Sequence, residues 1–147
     1  YNYFEEKVMK YKKINDTYFI RLDKGEKVLE RLRDFCSKNN IKAGYFFGIG
    51  SLDGAELAHY IAKAGKYTYQ LYRQPLEIVS MNGNMTMMNN ESHIHCHACL
   101  SDVNMEAMAG HLKEGIVGAT CEIVLVKLDT EINRKYDDFT GLNLMDL

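Results

Sequence analysis

Three histidines at alternate positions, His93, His95 and His97, followed by a fourth at His111, are the residues in this sequence best suited to bind a metal. They lie in S-H-I-H-C-H-A-C-L-S-D-V-N-M-E-A-M-A-G-H, Ser92 to His111, which holds four of the chain's five histidines and two of its four cysteines. On a β-strand alternate side chains share a face, so the three imidazoles would project together with Glu91 and Cys99, while Ile94, Cys96, Ala98 and Leu100 face a core. Histidines at i and i+2 stand about 6.6 Å apart at Cα, and two imidazole nitrogens can then meet one ion at about 2.0–2.1 Å. His93 and His97, about 13 Å apart on a straight strand, cannot easily share it. One ion therefore takes an adjacent pair and a ligand from elsewhere, for which His111, behind a glycine and a loop, is the obvious candidate. Three histidines leave a fourth tetrahedral position open to water, an anion or a partner. The competing reading is a polar surface or interface ladder. No nucleophile triad is present, and Cys99 is at most a distant ligand.

The elements that must position these residues are legible from periodicity. Residues 3–13 read as a solvated strand or helix flank, with Lys10, Lys12 and Lys13 as the only basic cluster. Thr17 to Leu22 reads as a strand, with Arg21 expected to pair with a carboxylate, Glu77 being one choice. Val28, Leu29, Leu32, Phe35 and Cys36 form the apolar stripe of a helix that ends at Asn39-Asn40, with Lys27, Glu30, Arg31 and Asp34 on its solvated face. Ala43 to Ser51 reads as a glycine-interrupted strand that turns at Leu52-Asp53-Gly54 into Ala55–Ala62. A hairpin at Ala64-Gly65-Lys66 leads to Tyr67–Tyr72, where Tyr67, Tyr69 and Leu71 share a face. Leu76 to Met81 ends at Asn82-Gly83, and Asn84 to Met88 turns at Asn89-Asn90 into the histidine strand. Thr120 to Leu128 is the clearest core strand, and the tail offers Phe139 and Leu142 as docking points. His59 reads as a lone histidine, and the methionines as core filler. One helix and about eight strands joined by tight turns predict an α+β fold with a mainly antiparallel sheet, without the βαβ units of nucleotide-binding folds; Gly48-x-Gly50 has no following helix.

Composition narrows the function classes. At 147 residues and 46% hydrophobic content the chain is the size of one domain with its own core, and the net charge of -2 supplies no global field for nucleic acid or an anionic membrane. No apolar run approaches the ~20 residues of a membrane span. Cys36, Cys96, Cys99 and Cys121 make neither paired zinc knuckles nor a disulfide scaffold, so they read as reduced cysteines of a cytoplasmic protein.

H-x-H, then L-S-D, a short loop and G-H-L resembles the plants-and-prokaryotes conserved domain, also called PPC or domain of unknown function 296. The likeness extends to Arg21-Leu22-x-x-Gly25-Glu26, Gly48-Ile49-Gly50-Ser51, Ala55-Glu56-Leu57 and Pro75 to Asn84, and so runs through most of the chain. Residues 1–147 then form a single PPC-like domain, with the tail from about 130 to 147 partly peripheral. The family's strand histidines fall on His95 and His97 and its G-G-H-L histidine on His111, with Ala109 in place of the first glycine; His93 is an extra member. The resemblance implies a strongly twisted sheet of about seven to eight strands with one principal helix packed on it, assembly as a homotrimer, and zinc or a similar divalent transition metal at His95, His97 and His111. It implies a DNA-binding-associated or regulatory role, with a protein partner. Plant members owe minor-groove binding to a separate R-G-R-P motif, absent here, so direct DNA binding is the minor expectation. The alternative class is a small zinc-dependent metalloenzyme using the open three-histidine site, with Glu91 or Glu106 as general base. The missing substrate-gripping motifs favour the binding domain over an enzyme.

Overall fold

The computed structural model describes residues 8–147. Residues 3–7 of the amino-terminal stretch discussed above lie outside the described residues. In chain order the elements are β1 (Lys10–Ile14), β2 (Thr17–Asp23), α1 (Val28–Lys38), β3 (Gly44–Ile61), β4 (Lys66–Tyr72), β5 (Leu76–Met88), β6 (Glu91–Ser101), β7 (Ala107–Lys127), β8 (Arg134–Asp137) and β9 (Leu142–Met145). β1 to β7 form one antiparallel sheet in the order β1-β2-β7-β6-β5-β3-β4, and β8 and β9 form a separate hairpin.

β7 also pairs with β3, so the ring of hydrogen bonds β7-β6-β5-β3 closes on itself. Closure removes the sheet edges in this ring that would otherwise be left open to other chains. β7 and β6 pair only through His97–Ser101 and Ala107–His111, so β6 from Glu91 to Cys96 has no β7 partner. The helix packs against both strands there. Its apolar stripe is the one the 3.6-residue period predicts: Val28, Leu29, Leu32, Phe35 and Cys36 are all buried. Lys27, at the helix N-cap, makes no side-chain cap. Glu114 of β7 supplies the cap instead, accepting the Leu29 and Glu30 backbone N–H groups at 2.8 and 3.1 Å.

The period-2 alternation separates an inner from an outer face. Tyr18, Ile20 and Leu22 of β2 are buried while Phe19 and Arg21 are exposed, and Cys96, Ala98 and Leu100 of β6 are buried with the histidines turned outward. Phe46, Met81, Met85, Leu112, Ile123 and Leu125 complete the core, and the buried Met81, Met85 and Met87 fill it as expected.

Several local expectations change. Leu52-Asp53-Gly54 is not a turn: β3 runs unbroken for 18 residues and bends through register shifts between Gly50 and Leu52 and between Leu52 and Gly54. Asn82-Gly83 likewise lies inside the 13-residue β5. Gly83 is there for closeness, since a Cβ would stand 2.1 Å from the His95 carbonyl oxygen and 2.8 Å from the Phe46 ring. The core strand expected from Thr120 begins earlier, as the last part of the 21-residue β7, Ala107–Lys127. Arg21 pairs with Asp23 at 3.4 Å, not with Glu77. Arg31 is not a solvated residue: it pairs with Glu26 at 3.0 Å with both side chains mostly covered. Phe139, at 97% exposure, docks nowhere. The hairpin turns at Gly65 and at Asn89-Asn90 stand as read, each carrying positive φ.

Gly83→Ala should destabilise the protein by about 2–3 kcal/mol or more, because its methyl group meets a fixed backbone oxygen. Gly65→Ala, where a Cβ meets nothing within 4 Å, should cost only about 1–2 kcal/mol for its left-handed φ. Urea unfolding of the two variants tests the order, and equal midpoints would contradict it.

Candidate metal centre

The turn between β6 and β7 sets the geometry of the site. The Asp102 carboxylate accepts the backbone N–H of Asn104 at 2.9 Å and of Glu106 at 3.0 Å, and the Met105 N–H reaches back to the Asp102 carbonyl at 3.0 Å. Such an Asx turn is what a short polar side chain contributes to a tight connection. It brings Ser101 opposite Ala107, and counting outward along the ladder brings His97 opposite His111. Gly110 admits the neighbouring strand, for a Cβ there would lie 2.8 Å from the Ala58 carbonyl oxygen. His95 joins the pair from two residues up the same strand.

His95, His97 and His111 therefore converge, with one ligand nitrogen from each lying within 4.8 Å of the others. Their ring centroids are separated by 5.1, 5.4 and 5.7 Å. The His95 and His97 Nε2 atoms are 3.3 Å apart. Two nitrogens bound at about 2.0–2.1 Å to a tetrahedral ion must themselves be about 3.3–3.4 Å apart. The pair is thus spaced as the two ends of a tetrahedral edge, and the three-histidine set fits zinc or a similar ion. His93 stands one step further along the strand and outside the trio. Cys99 lies opposite Ala109 and Ser80, also outside it. His59 is exposed and takes no part.

His93, His95 and His111 are shifted toward the neutral form. Burial, then the Arg134 guanidinium, then His95 and Arg33 push His93 down to about 4. His111 falls to about 4 through burial, followed by His95, His97, Lys113 and His93. His95 is lowered by burial, then by His97 and Arg134. A neutral imidazole keeps the lone pair that a metal requires.

Beside two of the trio, His95 and His111, opens a cleft of about 360 Å³, lined also by Tyr67, His93, Lys113, Arg134 and the β9 end of the hairpin, Gly141 to Leu144. Tyr67 stacks obliquely on His111 with ring centroids 5.6 Å apart. Arg134 ties the hairpin to β5, its Nε–H donating to Thr86 Oγ1 and Nη2–H to Asn84 Oδ1, both at 2.8 Å, while Nη1–H donates to the Asn143 carbonyl at 2.9 Å. Thr86 and Asn84 are the register partners of His93 and His95. Neither Glu91 nor Glu106 lines the cleft. Sequence reasoning missed Arg134, Lys113 and Tyr67; only the alternation placing Tyr67 on a tyrosine-rich face hinted at one of them.

The depressed histidine values have a definite sign. The unfolded chain, with histidines near 6.5, binds protons that the folded metal-free chain refuses until about pH 4. The metal-free fold should therefore lose stability as pH falls from about 6.5 to about 4, and these groups contribute no further change above that window. Thermal unfolding across the window tests it, alongside NMR titration of the His93 and His111 rings; midpoints near 6.5 for both rings would refute the assignment.

A search of curated proteins gives no match. Solved structures do match. A Bacteroides thetaiotaomicron protein named as a "putative DNA binding protein" is 29% identical with a TM-score of 0.91, covering 94% of this chain and 96% of its own. The metal-containing protein of Archaeoglobus fulgidus is 28% identical with a TM-score of 0.86 over 96% of this chain and 99% of its own. A plant- and prokaryote-conserved protein of Pyrococcus horikoshii is 27% identical with a TM-score of 0.83, over 96% of each chain. The model of the Plants and Prokaryotes Conserved (PCC) domain matches residues 9–129, a span holding the closed ring of strands, the helix and all three converging histidines. By that match and this fold, the chain belongs to the Plants and Prokaryotes Conserved domain family.

Proposed function

We propose that this chain is a metal-binding PCC domain that works as a homotrimer, with His95, His97 and His111 holding zinc or a similar divalent ion. The observation that carries the reading is the convergence of three imidazoles, two of them spaced as a tetrahedral edge. The metal-containing relative from Archaeoglobus fulgidus supports it. When bound, the ion would supply a Lewis-acid centre with one open position. The chain's own residues hold the ligands in register, favour the neutral form of His95 and His111, and wall the cleft.

Self-association rests on a separate feature. Phe19 of β2 lies opposite Val124 of β7, which lies opposite Phe47 of β3, and all three line a groove of about 610 Å³ with Tyr11 and Ile49. Phe19, Phe47 and Ile49 are each at least half exposed, on the outer side of strands whose inner side is core. A contiguous apolar face of this kind is unusual on a monomer. Its rim of Lys10, Arg21 and Glu122 carries both signs, so it can meet charges of either sign on a neighbouring copy.

A role in nucleic-acid regulation, suggested by the names of the Bacteroides thetaiotaomicron and Ralstonia eutropha relatives, is exercised through the assembled surface or a protein partner, because a chain of net charge -2 lacks the basic field of a direct binder. The domain acts in the cytoplasm as a binding module. The metalloenzyme alternative finds no carboxylate on the cleft among the described residues to serve as base.

Elemental analysis of protein purified without a nickel column should find close to one metal per chain. His95→Ala and His111→Ala should each lower occupancy sharply, since two imidazoles alone bind weakly, whereas His93→Ala should retain it. Full occupancy in the first two variants would sink the ligand assignment. Light scattering at micromolar concentration should report three chains, and Phe47→Asp should shift it to one; a wild-type monomer would overturn the assembly.

A further inference from the structure

The cleft over the histidines is unbalanced in charge. Among the described residues its lining includes Arg134 and Lys113 and no Asp or Glu. The three hydrogen bonds of Arg134 run to neutral oxygens, on Thr86, Asn84 and Asn143. Lys113 has no ion pair among the described residues; its ammonium instead lies over the Tyr69 ring, 5.8 Å from the centroid. A partly buried guanidinium without a carboxylate is uncommon, because its desolvation is usually offset by an opposite charge. Nor can the histidines offset it, since an imidazole side chain supplies no negative charge and a bound dication would raise the local positive charge further.

A guanidinium offers five N–H donors, one on Nε and two on each terminal nitrogen. Nε–H and one hydrogen on each of Nη1 and Nη2 are committed. One N–H on each terminal nitrogen is left without a partner among the described residues, and a guanidinium engages planar, two-oxygen acceptors through such donors. Tyr67, Leu142 and Leu144 add apolar surface to the same cleft. Cationic donors beside apolar side chains suit an organic acid better than a bare inorganic anion. Arg134 and both leucines belong to the β8–β9 hairpin, outside residues 9–129 that match the family model.

We propose that this cleft binds a small organic carboxylate, with one carboxylate oxygen at the open position of the metal and Arg134 and Lys113 neutralising its charge. The proposal rests on the metal reading above and deepens it by naming the class of ligand. It assigns to the carboxy-terminal hairpin the task of completing the site.

Cobalt(II) serves as both metal and reporter, because its visible spectrum responds to a change of ligand. The full chain is loaded with cobalt, its metal content is measured, and acetate, pyruvate, lactate and inorganic phosphate are titrated separately. The expected result is a saturable spectral change at millimolar or lower pyruvate or lactate, with phosphate weaker by roughly tenfold or more. Arg134→Gln should raise the carboxylate midpoint by roughly tenfold or more, the scale of one charge-assisted pair. Arg134 also anchors the hairpin, so Lys113→Met, at an exposed position, is the second variant and should raise the midpoint several-fold with cobalt content unchanged. A cobalt-loaded protein whose spectrum no carboxylate alters overturns the carboxylate site and leaves the metal site standing. Phosphate binding as tightly as pyruvate, or unchanged midpoints in both folded variants, overturns the assignment to a carboxylate held by these cations. A chain that takes up no cobalt sinks the metal reading and this proposal with it.

Discussion

The hydrogen bonds that Asp102 accepts from Asn104 and Glu106 govern more of this structure than their number suggests. They fold the β6–β7 turn tightly enough to bring Ser101 opposite Ala107, and the regular ladder then carries that register to His97 and His111. Side chains alternate with a period of two, so a slip of one residue would turn His111 to the inner face and bring Leu112 out of the core. Leu112 is fully buried in the observed register. The histidine cluster and the hydrophobic core therefore demand the same pairing, and each enforces the other.

β7 extends that coupling to the rest of the molecule. Its first residues pair with β6, and from His111 onward it pairs with β3, closing the ring of strands. Where β7 leaves β6, the gap is filled by α1, and Glu114, three residues beyond His111, accepts the first free N–H groups of that helix. A negatively charged side chain at a helix N-terminus is favoured by the backbone dipoles, so the helix and the divergence of the strands stabilise one another. Positioning the third histidine, capping the helix and closing the ring are tasks of one stretch of β7.

The outer surface is divided by chemistry. One part is apolar, with Phe19, Val124 and Phe47 in cross-strand register. The other combines imidazoles with two cations and, among the described residues, no acid. Burial first, then neighbouring charges including Arg134 and Lys113, lowers the pKa of His93, His95 and His111.

Patterns of local period were legible in the amino-acid sequence, because the period is a property of the backbone alone. The helix stripe from Val28 to Cys36, the outward histidines backed by Cys96, Ala98 and Leu100, and the turns at Gly65 and Asn89-Asn90 all follow from it. The family motif added the choice of His95, His97 and His111. Breaks within long strands were misread, since Gly54 and Asn82-Gly83 carry turn chemistry whose use here is a bend or a close approach to a neighbouring strand. What the sequence determined by itself was which residues share a face and which could bind a metal. Only the tertiary structure decided that His97 stands opposite His111, that Glu114 caps a helix 84 and 85 residues away, and that Arg134 reaches the cleft from the tail. Those depend on register and on contacts between segments far apart in the chain, which no local periodicity encodes.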